Sequence, residues 1–241
     1  MIKLDILAFG AHPDDVELGA GGTIALEVAN GKKVGIIDLT RGELGSRGNA
    51  DIRDKEAIES ARILGVEMRL NLGLRDGFFL ENEVNQLEVI KWIRYFKPEV
   101  VLCNVVSDRH PDHAKGSKLV SNACFLSGLK KIETHYEGIE QQEWRPKAVY
   151  HYIQDHYHKP DFVVDVEKFL DIKLSAIGAF KSQFYTLDQD QNEPQTLIST
   201  KAFMDFVEAR GLDFGRPINS RFGEGFLIER SIGVDSIFNI K

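Results

Sequence analysis

Leu4-Asp5-Ile6-Leu7-Ala8-Phe9-Gly10-Ala11-His12-Pro13-Asp14-Asp15 opens the chain with an apolar run that ends in a cluster of ionisable residues. Helical signals follow over residues 16–30, and a second apolar run covers residues 33–40. Short apolar runs bounded by turn residues read as buried strands, so this order is a β-α-β unit. The alternation continues with a helix over 52–64, a strand over 68–72, a helix over 84–96, a strand over 99–105 and a helix over 114–126. Such a series predicts an α/β fold: one Rossmann-like domain, with a mostly parallel sheet flanked by helices on both faces. Helix boundaries agree. Asp51 is placed to cap with Asp54 three residues on, Gly31 and Gly65 stand just past helix ends, and Pro98 separates helix from strand.

After Lys130 the rhythm loosens, and the last third of the chain reads as less regular. Strands over 148–154 and 162–166 and a helix over 167–184 are expected, then a polar, mobile loop over 186–195. No repeat or Pro/Gly/Ser linker divides the 241 residues, so one domain over 1–241 is the expectation.

Composition narrows the function. With 43% hydrophobic and 28% charged residues the chain has the material for a full core. Its formal charge of −7 disfavours nucleic acid and anionic membrane as partners. No run approaches the roughly 20 apolar residues of a spanning helix, and the N-terminal run lacks a cleavage site, so a cytoplasmic location is expected. Cys103 and Cys124 sit in apolar surroundings and read as reduced core thiols.

In open α/β sheets ligands bind beyond the carboxyl ends of the strands. Two ionisable clusters fall there: His12-Pro13-Asp14-Asp15 after the first strand, and Asp108-Arg109-His110-Pro111-Asp112-His113 after the strand ending near Val105. Imidazole and carboxylate together suit zinc, and a catalytic zinc takes three protein ligands and keeps one position open. His12, Asp15 and His113 meet that requirement. Asp14 is then left beside the metal as general base, and His110 lies across the substrate as the second acid/base group. Asp112 is expected to hydrogen-bond His110 and favour its imidazolium. Pro13 and Pro111 stiffen the two loops. His135 and His151 read as structural or exposed, while His156 and His158 follow a strand end and are candidates for contact with substrate.

At these residues the chain resembles the LmbE-like, or PIG-L, family of zinc-dependent N-acetylglucosaminide deacetylases. Further matching segments are Thr40-Arg41-Gly42-Glu43, Arg53 and Glu56, the helix end over 61–65 and, weakly, 223–226. The resemblance fades across 186–221. It implies a Zn2+ enzyme that acts on a small N-acetylated amino sugar and forms a homo-oligomer. Residues 108–113 with His158-Lys159-Pro160 look closest to the branch that deacetylates N-acetylglucosaminyl-malate in bacillithiol synthesis. Malate carries two carboxylates, so that branch implies a cationic rim, for which Arg53 and Arg109 are the candidates.

Three rivals stand beside this reading. The aglycone could be different, as in a chitobiose. A non-catalytic sugar-binding protein could share the fold, although Asp14 and His110, neither needed as a ligand, argue for catalysis. A dinucleotide-binding module is disfavoured, because carboxylates occupy the phosphate loop and Gly19, Gly21 and Gly22 come too late.

Overall fold

Side chains of β1 (Ile6–Gly10) alternate between two buried faces: Leu7 and Phe9 join one apolar cluster, Ile6 and Ala8 another. A strand covered on both sides needs no polar face, which is why these runs read as continuously apolar. The computed structural model describes residues 2–187 and 193–239. The parallel strands are β1, β2 (Val34–Thr40), β3 (Met68–Leu74), β4 (Val100–Asn104) and β7 (Ala148–Tyr152). A small hairpin, β5 (His135–Tyr136) and β6 (Ile139–Glu140), lies apart from them. β9 (Gly223–Ile228) runs antiparallel between β7 and β8 (Phe162–Asp165), and the sheet order is β3-β2-β1-β4-β7-β9-β8.

Helices α3 (Glu83–Phe96) and α4 (Pro111–Leu126) pack on the Leu7/Phe9 face through Ile90, Ile93, Leu119 and Val120. The other face is covered by α1 (Asp15–Ala29), the end of α2 (Ala50–Leu64) and α5 (Leu170–Gly178), through Ile24, Leu64 and Ala176. Chain order runs outward from β1 through β2 to β3 on one side and through β4 to β7 on the other. The gap between the carboxyl ends of β1 and β4 is therefore the topological switch point, where a ligand crevice opens.

The mostly parallel α/β sheet and the two-sided helices are as expected. Local differences have identifiable causes. α2 is capped by Asn49, whose Oδ1 accepts from Ile52 N at 3.0 Å, two residues before the expected Asp51. The helix expected over 167–184 is shorter, because its last backbone groups are claimed from outside: Glu56 accepts from Ser182 N at 2.7 Å and Arg47 donates to Ser182 O at 2.9 Å. The hairpin, β9 and a further helix, α6 (Lys201–Gly215), add to the expected elements. Of the expected loop 186–195, residues 188–192 lie outside the described residues. Both cysteines are free and buried. Among the described residues no helix is long and apolar enough to cross a membrane.

The late glycines of α1 serve packing. A Cβ on Gly19 would meet the Tyr152 ring at 2.1 Å and one on Gly22 would meet Val166 at 2.8 Å, so glycine is what lets α1 lie this close to β7 and to the residue that follows β8. Glu224 of β9 then reaches into α1. Its carboxylate accepts from Gly22 N at 2.9 Å, Thr23 N at 2.7 Å and Lys173 Nζ at 2.6 Å, with both charged side chains buried. Breaking a buried pair leaves an uncompensated charge, at a cost of about 3–5 kcal/mol. Glu224→Ala is therefore expected to lower the thermal unfolding midpoint by roughly 6–20 °C, and Glu224→Gln by less, since its amide oxygen still accepts. A Glu224→Ala midpoint within about 2 °C of wild type, read by calorimetry, would show that the pair contributes nothing net.

Candidate active site

The loop after β1 is pinned from both sides. Ala11 N donates to Asn104 Oδ1 at the end of β4 (2.9 Å), and Ala11 O accepts from Thr40 N at the end of β2 (3.1 Å). The chain then turns sharply into α1 through Asp14, a non-glycine residue at φ +122°. Such a conformation costs about 1–3 kcal/mol and persists only where surroundings enforce it. On the other side α4 begins at His110, whose Nδ1 accepts from Asp112 N at 3.2 Å, with Pro111 in the first turn. The two loops expected to meet do so: the His12 and His110 rings lie 4.6 Å apart edge to face, and the His12 and His113 centroids are 5.6 Å apart.

His12, Asp15 and His113 converge. Asp15 Oδ1 lies 3.1 Å from His113 Nε2, and Asp15 Oδ2 lies 3.6 Å from His12 Nδ1. The remaining ring nitrogens are held from behind: His113 Nδ1 by Asp108 at 2.7 Å, His12 Nε2 by Asp76 at 3.0 Å and by Asp112 at 3.5 Å. Asp15 itself accepts from Asn104 Nδ2 at 3.0 Å and Gln154 Nε2 at 2.7 Å. Carboxylates behind metal-binding imidazoles fix ring orientation and tautomer. Among the described residues, the groups of three that bring one donor atom each within 4.8 Å of one another are His12 with His110 and His113, and His12 with Asp76 and Asp112, so His110 borders the same point, while Asp15 reaches each of the two expected histidines separately.

The electrostatics favour a cation there. Burial alone would lower the His113 pKa, but the Asp15 charge and the Asp108 hydrogen bond outweigh it and raise it to about 9. His12 is raised as well, against burial, by hydrogen bonds to Asp112, Asp15 and Asp76. Burial would raise Asp15, yet the His113 charge holds it well below the usual carboxylate range. Two imidazoliums thus occupy the place where a divalent ion would displace their protons. Donor set, convergence and backing carboxylates all fit such an ion.

Asp14 is buried beside this centre, and its Oδ2 accepts from Arg53 Nη2 at 2.7 Å. Burial pushes its pKa up to about 7, the Arg53 charge offsetting only part of the effect. A carboxylate in that range is matched to proton transfer near neutrality. Arg53 is consequently not a free fork at the rim: it is buried, committed to Asp14, and serves as a wall of the site.

The expected link between Asp112 and the His110 ring is not formed. The Asp112 carboxylate turns away, accepting from Gly77 N at 2.7 Å and pairing with Lys115 at 2.5 Å. Since His110 Nδ1 accepts a backbone N–H, its proton belongs on Nε2. Burial and the neighbouring His12 and His113 charges lower its pKa to about 4, so the ring is neutral and not the expected imidazolium.

A cavity of about 430 Å³ opens over this group, lined by His12, Asp14, Asp15, His110 and His113 and, at its mouth, by Arg109. Arg109 is partly exposed and donates to Asp155 at 3.0 Å. His156 and His158 do not line it: His156 offers its backbone N to Asp108, and His158 Nε2 contacts Ser107 O at 2.6 Å. His151 is buried and structural, its ring between Cys103, Ser117 and Glu229. Asp76, Asp108, Asn104 and Gln154 carry roles that sequence reasoning did not assign. All four stand at or just past carboxyl ends of strands, the signal that located the other residues.

Residues 7–124 match the PIG-L family, described as GlcNAc-PI de-N-acetylase. A diacetylchitobiose deacetylase of Thermococcus kodakarensis is 28% identical over 232 residues, covering 91% of this chain and 81% of that protein. The "Probable N-acetyl-alpha-D-glucosaminyl L-malate deacetylase 2" of Bacillus cereus is 26% identical over 201 residues, 77% of this chain and 86% of that protein. The crystal structure of the conserved protein TT1542 from Thermus thermophilus superposes with a TM-score of 0.84 at 33% identity, covering 96% of this chain and 97% of that one. With a matching family region that contains His12, Asp14, Asp15, Arg53, His110 and His113, and with relatives aligned over most of its length, the chain belongs to the PIG-L family.

Proposed function

We propose that this protein hydrolyses the acetamide of an N-acetylglucosaminide, releasing acetate and a free amine, with zinc held by His12, Asp15 and His113. The observation that carries the reading is the convergence of those three side chains, backed by Asp76 and Asp108, directly beside the buried Asp14. When bound, the ion supplies Lewis acidity toward the acetamide oxygen and the attacking water.

The chain's own groups do the rest. Asp14 Oδ2 is fixed by Arg53, and Oδ1 has no protein hydrogen-bond partner among the described residues, leaving it to take a proton from water at the cavity wall. As the water oxygen bonds to the acetyl carbon, the His110 Nε2–H donates to the carbonyl oxygen, where negative charge grows. The C–N bond then breaks, and the amine leaves with the proton that Asp14 took. A merely sugar-binding protein would not need a strained residue such as Asp14 with a carboxyl tuned to neutrality.

For the aglycone, malate is the narrower reading and needs a cationic rim, which falls to Arg109 alone, a residue of the cavity lining that is already paired with Asp155 at 3.0 Å. With Arg53 buried, Arg109 is the one remaining of the two expected guanidiniums. Acetate release from N-acetylglucosamine, N,N′-diacetylchitobiose and N-acetylglucosaminyl-malate tests the function. Release that stops on chelation and returns with zinc is expected. No release from any of the three by zinc-loaded protein would refute the activity, and release indifferent to chelation would refute the metal.

A further inference from the structure

Outside the candidate active site a groove of about 440 Å³ runs onto α6, and it shares Asp155, Leu197 and Phe203 with the cavity. Tyr157 and Phe206 flank it with 74% and 61% of their surfaces exposed, and Leu197 is 54% exposed between groove and cavity. Three large apolar side chains left open in one place beside a polar cavity mark a binding surface more than a packing accident. The groove also has polar equipment: Asp155, Arg210 and Asp213 line it.

We propose that this groove is a second sugar subsite, which holds the ring attached to the N-acetylglucosamine being deacetylated. The inference rests on the function proposed above and names the aglycone class. A pyranose is amphipathic, with apolar C–H faces and a rim of hydroxyls. Aromatic side chains take the first, while carboxylates and a guanidinium take the second. A dicarboxylate fits poorly. The Arg109 charge is already matched by Asp155 at 3.0 Å, Arg210 Nη2 is bonded to Asp155 O at 2.9 Å, and Asp213 adds a further negative charge. Two guanidiniums facing two carboxylates give no net attraction for a doubly charged aglycone. The continuity of the groove with the cavity places the occupant, since a sugar linked to the reacting ring would leave through the mouth beside Leu197.

The test is acetate release by the zinc-loaded full chain, compared between N,N′-diacetylchitobiose and N-acetylglucosamine, in wild type, Tyr157→Ala and Phe206→Ala. Wild-type kcat/KM is expected to be roughly tenfold higher for the disaccharide, as one good stacking contact allows. Each variant should shrink that ratio by at least about threefold, while hydrolysis of the single sugar, which also reports correct folding, stays within about twofold. A wild-type ratio near one, a ratio unchanged in both variants, or a preference for N-acetylglucosaminyl-malate over the disaccharide would overturn the subsite. Release from neither sugar would instead refute the activity. Calorimetric titration of the same proteins then decides the groove: tighter binding of the disaccharide that weakens in Phe206→Ala supports it, and equal binding of the two sugars overturns it.

Discussion

His113→Ala is expected to empty the site of zinc and to lower kcat/KM at least about a thousandfold, because it removes one of the three proposed protein ligands and with it several kcal/mol of charge stabilisation. His12→Ala and Asp15→Ala should behave alike. The backing carboxylates give a graded contrast. Asp108 lies 2.7 Å from His113 Nδ1 and holds the ring without being a ligand, so Asp108→Asn should weaken zinc binding by about 10–100-fold and leave a loaded, active enzyme at high zinc. His110→Ala separates the alternative ligand set. His110 borders the same point, yet its Nδ1 is taken by a backbone N–H, and the proposed mechanism assigns its Nε2–H to the substrate. That variant should keep its zinc and lose rate. Elemental analysis after dialysis checks all of these. Stoichiometric zinc in His113→Ala would sink the ligand assignment, and loss of zinc in His110→Ala would move that residue into the ligand set.

The parallel half of the fold was legible because its rules are local. β1 and β2 are buried on both faces, so their apolar runs are unbroken, and the helices that follow them show ordinary stops such as Gly65 at φ +71°. The C-terminal third follows other rules. β9 carries two glycines and pairs antiparallel between β7 and β8, a position set by the packing of Glu224 and α6 and not by any pattern within Gly223–Ile228. α6, where the sequence reading assigned no element, was legible all the same. Thr200 caps it by accepting from Phe203 N, and Phe203, Val207 and Phe214 are buried at helical spacing. Its exposed Phe206 and Leu212 broke the two-faced pattern that identifies a helix.

For the site, residue type and place at the strand ends were enough to bring His12, Asp15 and His113 together, because β1 and β4 are neighbours. Side-chain direction was not legible. Arg53 stands far from Asp14 in sequence, and only the packing of α2 against the β1 loop turns its guanidinium inward. Asp112 likewise neighbours His110 in the chain but faces Gly77 and Lys115, since residues one or two apart on a helix point in different directions.

Asp14→Asn is expected to keep zinc, lose about 10²–10⁴ in kcat and cost the fold nothing. The loss of rate follows because an amide cannot accept a proton from water, whereas none of the three ligands is touched. Asparagine is the informative substitute for two reasons: it tolerates positive φ better than alanine, and its amide oxygen can still accept from Arg53. The stability claim comes from the carboxyl's own titration. Burial raises it from an ordinary 3.8 to about 7, so the folded protein holds this proton more tightly than the unfolded chain does. The protonated form therefore contributes stability that is fully present below about pH 4 and is lost as pH rises through about 7. Above that the wild type carries the whole penalty of a buried charge, and the asparagine variant carries none. Metal-free Asp14→Asn should accordingly unfold at about pH 8 no earlier than metal-free wild type, and below about pH 4 the two should converge. A midpoint several degrees below wild type at the higher pH would mean that the Arg53 ion pair, and not the desolvated carboxylate, dominates there. Loss of zinc together with activity would make Asp14 a ligand instead of the base. Inactivity with full zinc and unimpaired stability is the pattern of a residue kept for proton transfer at the expense of the fold that holds it.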